Sequence, residues 1–263
     1  TVQRQGIITL IPKPGRDRTT MKGYRPITLL NCWYKLCSGV LAERIKTTLP
    51  KLINSDQAGF IEGRYIGDVI RNTIDVIDHA KRNKIHGMVL QCDLESAFDR
   101  YGHHCIRYAL ESYNFGPRFR GWINVLLKDN FSNIIMCGKL SKRIEVLRSA
   151  RQGDPIAAYL FILGLELLAI KVRYETRIVG FRCGDYEQKI SLLADDVTIF
   201  LQGNKQEIEH SVRILYDILK EFELISGLRT STEKSKAMWI GTAIGEQPIC
   251  TNLNFSWCDK LKL

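Results

Sequence analysis

One dipeptide, Asp195-Asp196, constrains this chain more than any other feature. It is the only pair of adjacent aspartates, and apolar runs at 190–194 and 197–201 flank it. The pattern reads as a strand, a two-carboxylate tip and a second strand. Neighbouring carboxylates repel, and their desolvation is costly unless a cation compensates. Hard oxygen ligands on a rigid turn suit Mg²⁺, which takes one or two protein carboxylates plus substrate phosphates. Taken alone, the dipeptide has a plainer reading as a surface turn. A second apolar strand, 88–92, ends in Asp93 and is followed by a helical stretch at 96–99. Two such strands side by side aim three acids at one point. That arrangement suits phosphoryl transfer with two ions about 3.5–4 Å apart, one near the attacking and one near the leaving oxygen.

The 263 residues can bury a real core, as one large domain or two subdomains. An apolar fraction of 45% argues against disorder. The net charge of +10 surrounds an internal acidic cluster, which points to a polyanion held by a positive surface and worked on at a metal site. The alternative is a basic protein with no nucleic-acid role. None of the eight cysteines forms a C-x-x-C pair, so a zinc site is not expected, and a reducing compartment fits better than a disulfide scaffold. There is no signal peptide and no apolar run of membrane-spanning length, so the expectation is an intracellular protein with no membrane partner. A start without Met suggests a piece of a longer protein.

Along the chain, residues 6–12 read as a strand, 13–18 as a basic turn and 24–30 as a second extended run. Helices are expected over 32–48 and 66–82, the latter with Ile66, Val69, Ile70, Ile74 and Ile77 on one face. The Asp93 strand follows, then helices near 103–113 and 117–128 and a hairpin of 133–137 with 143–147. Gly153-Asp154-Pro155 opens an apolar helix to about 174, with Pro155 just inside its start. A strand at 178–183 and the Asp195-Asp196 hairpin come next. Asn204 and Glu207 form a capping-box pattern for a helix that Gly227 stops, and 237–241 is a last strand. Acid-bearing strands split by helices give an α/β or α+β fold with helices on a small sheet.

These segments resemble the reverse transcriptase domain of LINE-type (non-LTR) retrotransposons, over roughly residues 6 to 241. Ile11-Pro12-Lys13-Pro14-Gly15 with Tyr24-Arg25-Pro26-Ile27 resembles the family's fingers motif. Gln57-Ala58-Gly59-Phe60 through Arg64 resembles its template-contacting motif. Asp93 to Asp99 and Leu193-Ala194-Asp195-Asp196 resemble the two catalytic motifs. Arg151-Gln152-Gly153-Asp154-Pro155 resembles the nucleotide-pocket motif, and Gly227-Leu228, Lys234-Ser235 and Trp239-Ile240-Gly241 the motifs closing the palm. Six motifs in the right order make the signal specific.

The resemblance implies an α+β right-hand polymerase fold, with a small antiparallel sheet backed by helices. Fingers would occupy 1–85, palm 86–241, and 242–263 would lead toward a thumb that is missing, as is a preceding endonuclease region of a longer polyprotein. Weak, poorly processive binding of template-primer is the corresponding expectation. The implied activity is RNA-directed DNA synthesis from an RNA template, a DNA primer and dNTPs, with two Mg²⁺ ions (Mn²⁺ a substitute), in nucleus and cytoplasm. Asp93, Asp195 and Asp196 would be catalytic acids, with metal held by them and by the Leu94 backbone carbonyl. Lys13 and Arg25 would grip the triphosphate; otherwise they are a solvated basic loop. Phe98 would exclude a 2′-hydroxyl or, alternatively, be a core aromatic. Gln152 would touch the nucleotide, and Gly153 would let backbone approach template or base pair. Lys234 would protonate pyrophosphate or be a surface lysine. Gln57, Gly59, Phe60 and Arg64 would contact template. Asp99 and Asp154 read as structural, and His103 with His104 points too far apart to share a metal.

The chain departs from the family at Ala157-Ala158, where Ser-Pro is usual, at Ser149 for Gly, at Leu193 for an aromatic, and at 230–233, which lack the usual Asn. No metal ligand is lost. Together these changes keep open a decayed or domesticated copy acting only as a nucleic-acid-binding domain. An RNA polymerase with a similar palm is disfavoured by Phe98 and the fingers motif.

Overall fold

The computed structural model describes residues 2–95, 97–149, 151–253 and 255–261. Ser96, inside the first catalytic motif, and the last residues of the 242–263 segment lie outside them. In chain order the elements are β1 (Gln5–Pro12), β2 (Tyr24–Leu30), α1 (Cys32–Lys46), α2 (Leu49–Leu52), α3 (Ile66–Arg82) and β3 (His86–Glu95). Then come α4 (Ala97–Arg100), α5 (His103–Ser112), α6 (Pro117–Leu127), β4 (Phe131–Met136), β5 (Lys139–Leu140), β6 (Ile144–Glu145) and α7 (Ala157–Tyr174). Last are β7 (Phe181–Cys183), β8 (Tyr186–Gln188), β9 (Ile190–Leu193), β10 (Asp196–Gln202), α8 (Lys205–Ser226), β11 (Arg229–Gly241) and β12 (Ser256–Trp257).

The chain forms two compact units, 1–52 with 98–164 and 53–97 with 165–263. The division does not follow the expected cut at residue 85. In the first unit β1 pairs antiparallel with β2 and parallel with β4, so Gly6 lies beside both Leu30 and Ser132. That parallel pairing ties residue 6 to residue 132, a link no local pattern announces. The expected 133–137 hairpin is present with a broken return strand. β4 meets β5 at Ile135 and β6 at Ser132, and between them Ser141 Oγ accepts the Ile134 N–H at 2.9 Å. Asn31 caps α1 by accepting the Trp33 N–H at 3.0 Å.

The second unit is built on the sheet β12-β11-β3-β10-β9. Met88, Val89 and Leu90 of β3 are each 0% exposed, so both faces of the central strand are covered. On one face Val76 and Ala80 of α3 pack with Val89, Phe181, Phe200, Met238 and Ile240. Burying each large side chain contributes about 1.5–3 kcal/mol. The buried face of α3 is Thr73, Val76 and Ala80; Ile66 and Ile74 are exposed. Of the five residues expected on one face, Ile77 packs partly buried against this cluster, while Ile74 is turned about 100° away from Thr73 into solvent. α8 carries the expected capping box and ends at Gly227 with φ 79°. α7 begins at Ala157, so Pro155 stands in the preceding turn and not inside the helix, and the 178–183 strand shrinks to β7.

Candidate active site

The acids meet through strand register. β3 and β10 run antiparallel with Asp93 directly opposite Asp196, a spacing of about 4.5–5.5 Å between Cα atoms for such pairs. Asp196 also sits opposite Leu193 across the β9–β10 turn, so residues 194 and 195 make the tip. Burial pushes the carboxyls of Asp195 and Asp196 above the usual range. Mutual repulsion adds to this, from Asp93 on Asp195 and from Asp195 and Asp93 on Asp196. Lys234 faces the cluster, its Nζ 3.3 Å from Asp93 Oδ2. It gets there through a break in the β11–β3 ladder, where pairing jumps from Ser231–Asp93 to Lys236–Gln91. Inside that bulge Ser235 Oγ donates to the Ser231 carbonyl at 2.7 Å and accepts the Asp93 N–H at 3.2 Å. The bulge is the reason that the expected strand at 237–241 begins eight residues earlier, at Arg229.

Clustered carboxylate oxygens suit a hard divalent cation. Among the described residues no group of three or more His, Cys, Asp or Glu side chains is placed to hold a metal ion by itself. An ion held here would need further ligands, which substrate phosphates and water would supply. Leu94 has its side chain buried on β3 beside Thr230, leaving only its backbone for any such contact.

Gln57, Gly59, Phe60 and Arg64 were expected to contact template. Their polar groups are instead turned largely toward their own chain. Gln57 is 1% exposed, and its amide bonds to Gly59 and Ala194. Arg64 donates to the carbonyls of Ile53, Asn54 and Gln57. A Cβ on Gly59 would collide with the Ala194 backbone, 2.7 Å from its Cα. Phe60, at 51% exposure, presents its ring at the surface, and Glu62 and Gly63 of the motif are exposed beside it in sequence. Behind them Arg173 bridges Asp56 (2.6 and 3.1 Å) and Glu166 (2.6 Å). Burial raises the Glu166 carboxyl above its ordinary value even so. Sequence reasoning missed this triad. Its members are 117 and 7 residues apart, and only Glu166 within the apolar run of α7 hinted at a buried partner.

In the first unit Arg25 is exposed on β2 opposite Ile11. Lys13, two residues past Ile11, continues the ladder by donating its N–H to Gly23 O at 2.8 Å, which puts Lys13 and Arg25 on one face of the hairpin. Gln152 Nε2 lies 3.3 Å from Asp99 Oδ2, and its carbonyl accepts the Thr28 N–H at 3.0 Å. Burial raises the Asp99 carboxyl, consistent with its reading as structural. Gly153 has φ 105°, and a Cβ there would lie 2.7 Å from Thr28 O. The close approach that this glycine permits is thus to β2. Asp154 accepts from Tyr34 (3.0 Å) and Ser38 and from the Ile156 N–H at 3.3 Å, a structural carboxylate. Phe98 packs on Phe161 with ring centroids 4.8 Å apart. His103 bonds to the Ser149 carbonyl at 3.2 Å.

Residues 11–257 match the family model described as reverse transcriptase (RNA-dependent DNA polymerase). The chain belongs to the reverse transcriptase family. It is 29% identical over 199 residues to the transposon TX1 uncharacterized 149 kDa protein of Xenopus laevis, covering 76% of this chain and 15% of that protein. It is 24% identical over 240 residues to the retrovirus-related Pol polyprotein from type-1 retrotransposable element R2 of Popillia japonica, covering 90% of this chain and 32% of that protein. The chain thus spans a third or less of the length of these relatives. Among solved structures, telomerase from Candida tropicalis in complex with a TWJ fragment of telomeric RNA superposes with TM-score 0.64 at 12% identity, over 90% of this chain and 41% of that one. That likeness shows the fold, the right-hand polymerase fold that reverse transcriptases share.

Proposed function

We propose that this chain is the polymerase part of a non-LTR retrotransposon protein, an RNA-directed DNA polymerase that extends a DNA primer on an RNA template. The observation that carries the reading is the register placing Asp93 opposite Asp196, with Asp195 at the adjoining tip. The family match and the transposon relatives support it.

Asp93, Asp195, Asp196 and the Leu94 carbonyl would hold two divalent ions, Mg²⁺ by preference with Mn²⁺ a substitute. Bound there, such ions would lower the pKa of the primer hydroxyl and offset the triphosphate charge. The primer 3′-hydroxyl gives up its proton to solvent, its oxygen bonds to the α-phosphorus of the dNTP, the bond from that phosphorus to its bridging oxygen breaks, and pyrophosphate leaves. Lys13 and Arg25 would bind the triphosphate as point charge and bidentate fork. Lys234, already beside Asp93, is a candidate proton donor to pyrophosphate. Gln152 and Phe98 are assigned to the base and sugar of the incoming nucleotide, and Phe60 to the template. A surrounding polyprotein with an endonuclease, and sites of action in nucleus and cytoplasm, belong to the same proposal.

The test is dTTP incorporation on poly(rA)/oligo(dT) with Mg²⁺, beside an Asp195→Asn control. Incorporation that falls by about 10³-fold or more in the variant is expected. A folded wild-type chain that incorporates nothing on any template-primer, or an undiminished Asp195→Asn variant, would sink the reading.

A further inference from the structure

Ala194, immediately before the catalytic pair, has φ 54°. A left-handed backbone at a residue bearing a Cβ costs about 1–2 kcal/mol and persists only where its surroundings dictate it. Here the surroundings are a second segment of chain laid along β9. The Leu192 N–H donates to Asp56 O at 2.7 Å, and the Ala58 N–H donates to Leu192 O at 2.9 Å. Gln57 sits between those two bonds. Its Oε1 accepts the N–H of Gly59 at 2.7 Å and of Ala194 at 3.0 Å, while its Nε2 donates to Ala194 O at 3.4 Å. One amide therefore holds both backbone polar groups of Ala194. The missing Cβ of Gly59 is what lets this segment come so close. Arg64 fixes the segment from within, and the Arg173 bridge to Asp56 and Glu166 anchors it to α7.

We propose that Gln57 is a positioning residue for the polymerase reaction. It sets the turn that aims Asp195 and Asp196, and it does not touch template. The proposal rests on the polymerase reading above and adds to it a residue that acts through the hairpin backbone. A side chain that is 1% exposed, with its amide turned to the Ala194 backbone, does not present itself to a nucleic acid.

Two measurements on Gln57→Ala test it, one independent of activity. Amide hydrogen exchange is expected to speed up about tenfold at Ala194, the loss of one buried hydrogen bond, while amides at the centre of β3 and β10 keep their protection. In steady-state incorporation kcat should fall about tenfold or more, with template-primer Kd by fluorescence anisotropy unchanged within about twofold. Gln57→Glu retains the acceptor oxygen and should keep the Ala194 amide protected within about threefold of wild type. If Gln57→Ala fails to fold, the comparison is made on Gln57→Asn, whose amide is one methylene too short to reach both N–H groups. Unchanged exchange at Ala194 in Gln57→Ala, or in Gln57→Asn where that stands in for it, overturns the proposal, and so does weakened template affinity with kcat intact. A wild-type chain without polymerase activity would refute the polymerase reading, and the exchange result would still judge the brace.

Discussion

At the scale of single residues, the acids at the β9–β10 tip work against the fold that carries them. Burial and mutual repulsion raise the carboxyls of Asp195 and Asp196. A carboxyl whose folded pKa lies above its unfolded value near 3.8 stabilises fully below that value. The stability is lost as pH rises through the raised folded pKa. Without divalent ions, Asp196→Asn should therefore melt higher than wild type at pH 7, and the difference should vanish below about pH 4. Asp196 is exposed, so solvent screening limits the gain to about 0.5–1 kcal/mol, or roughly 1–4 °C. A variant that melts lower at pH 7 would contradict this account. The acids themselves were legible in the sequence, because the Asp195-Asp196 dipeptide is accompanied by a second apolar strand ending in Asp93. Gln57 and Arg64 were singled out in the sequence, but the backbone groups they bond to were not. A motif gives the position of a polar side chain, whereas its hydrogen-bond partner at Ala194 is 137 residues away.

Among the elements, β3 and β10 were readable from apolar runs with acidic ends, and α8 from its capping box and terminal glycine. α3 was readable as a helix, but its isoleucine stripe coincides only in part with the face it buries: Ile77 packs against the core, whereas Ile66 and Ile74 are exposed. α7 shows how one element can be set by a single glycine. A Cβ on Gly164 would run into the Tyr101 hydroxyl and lie 2.9 Å from its Cε2, and Tyr101 is 0% exposed. The ring also packs edge-on against Phe161 at 5.8 Å, so it has no ready direction of retreat. Gly164→Ala should destabilise the chain by about 1–3 kcal/mol despite the better helix propensity of alanine. Chemical denaturation would measure this, and a neutral or stabilising result would mean that Tyr101 can move.

For the whole molecule, the partition into two compact units is what the sequence concealed. A linear cut at residue 85 follows motif order, but compactness follows pairing between distant segments, such as residues 5–8 with 131–134. The net charge was legible, and it makes a prediction at this scale. Template-primer binding by a chain of charge +10 should weaken steeply with salt. Four neutralised phosphates would give about a 100-fold loss between about 50 and 200 mM monovalent salt. A flat salt profile would remove phosphate contacts from the binding account.

The bulge in β11 has a consequence for how such a sequence ages. The ladder is intact on both sides of residues 232–235, so the fold has little stake in the exposed pair Glu233 and Lys234. Quality control in a cell senses unfolding and is blind to a missing amine beside Asp93. Mutations can therefore accumulate at this spot in a lineage without shortening the lifetime of the protein, and a silenced copy can persist as a well-folded relic.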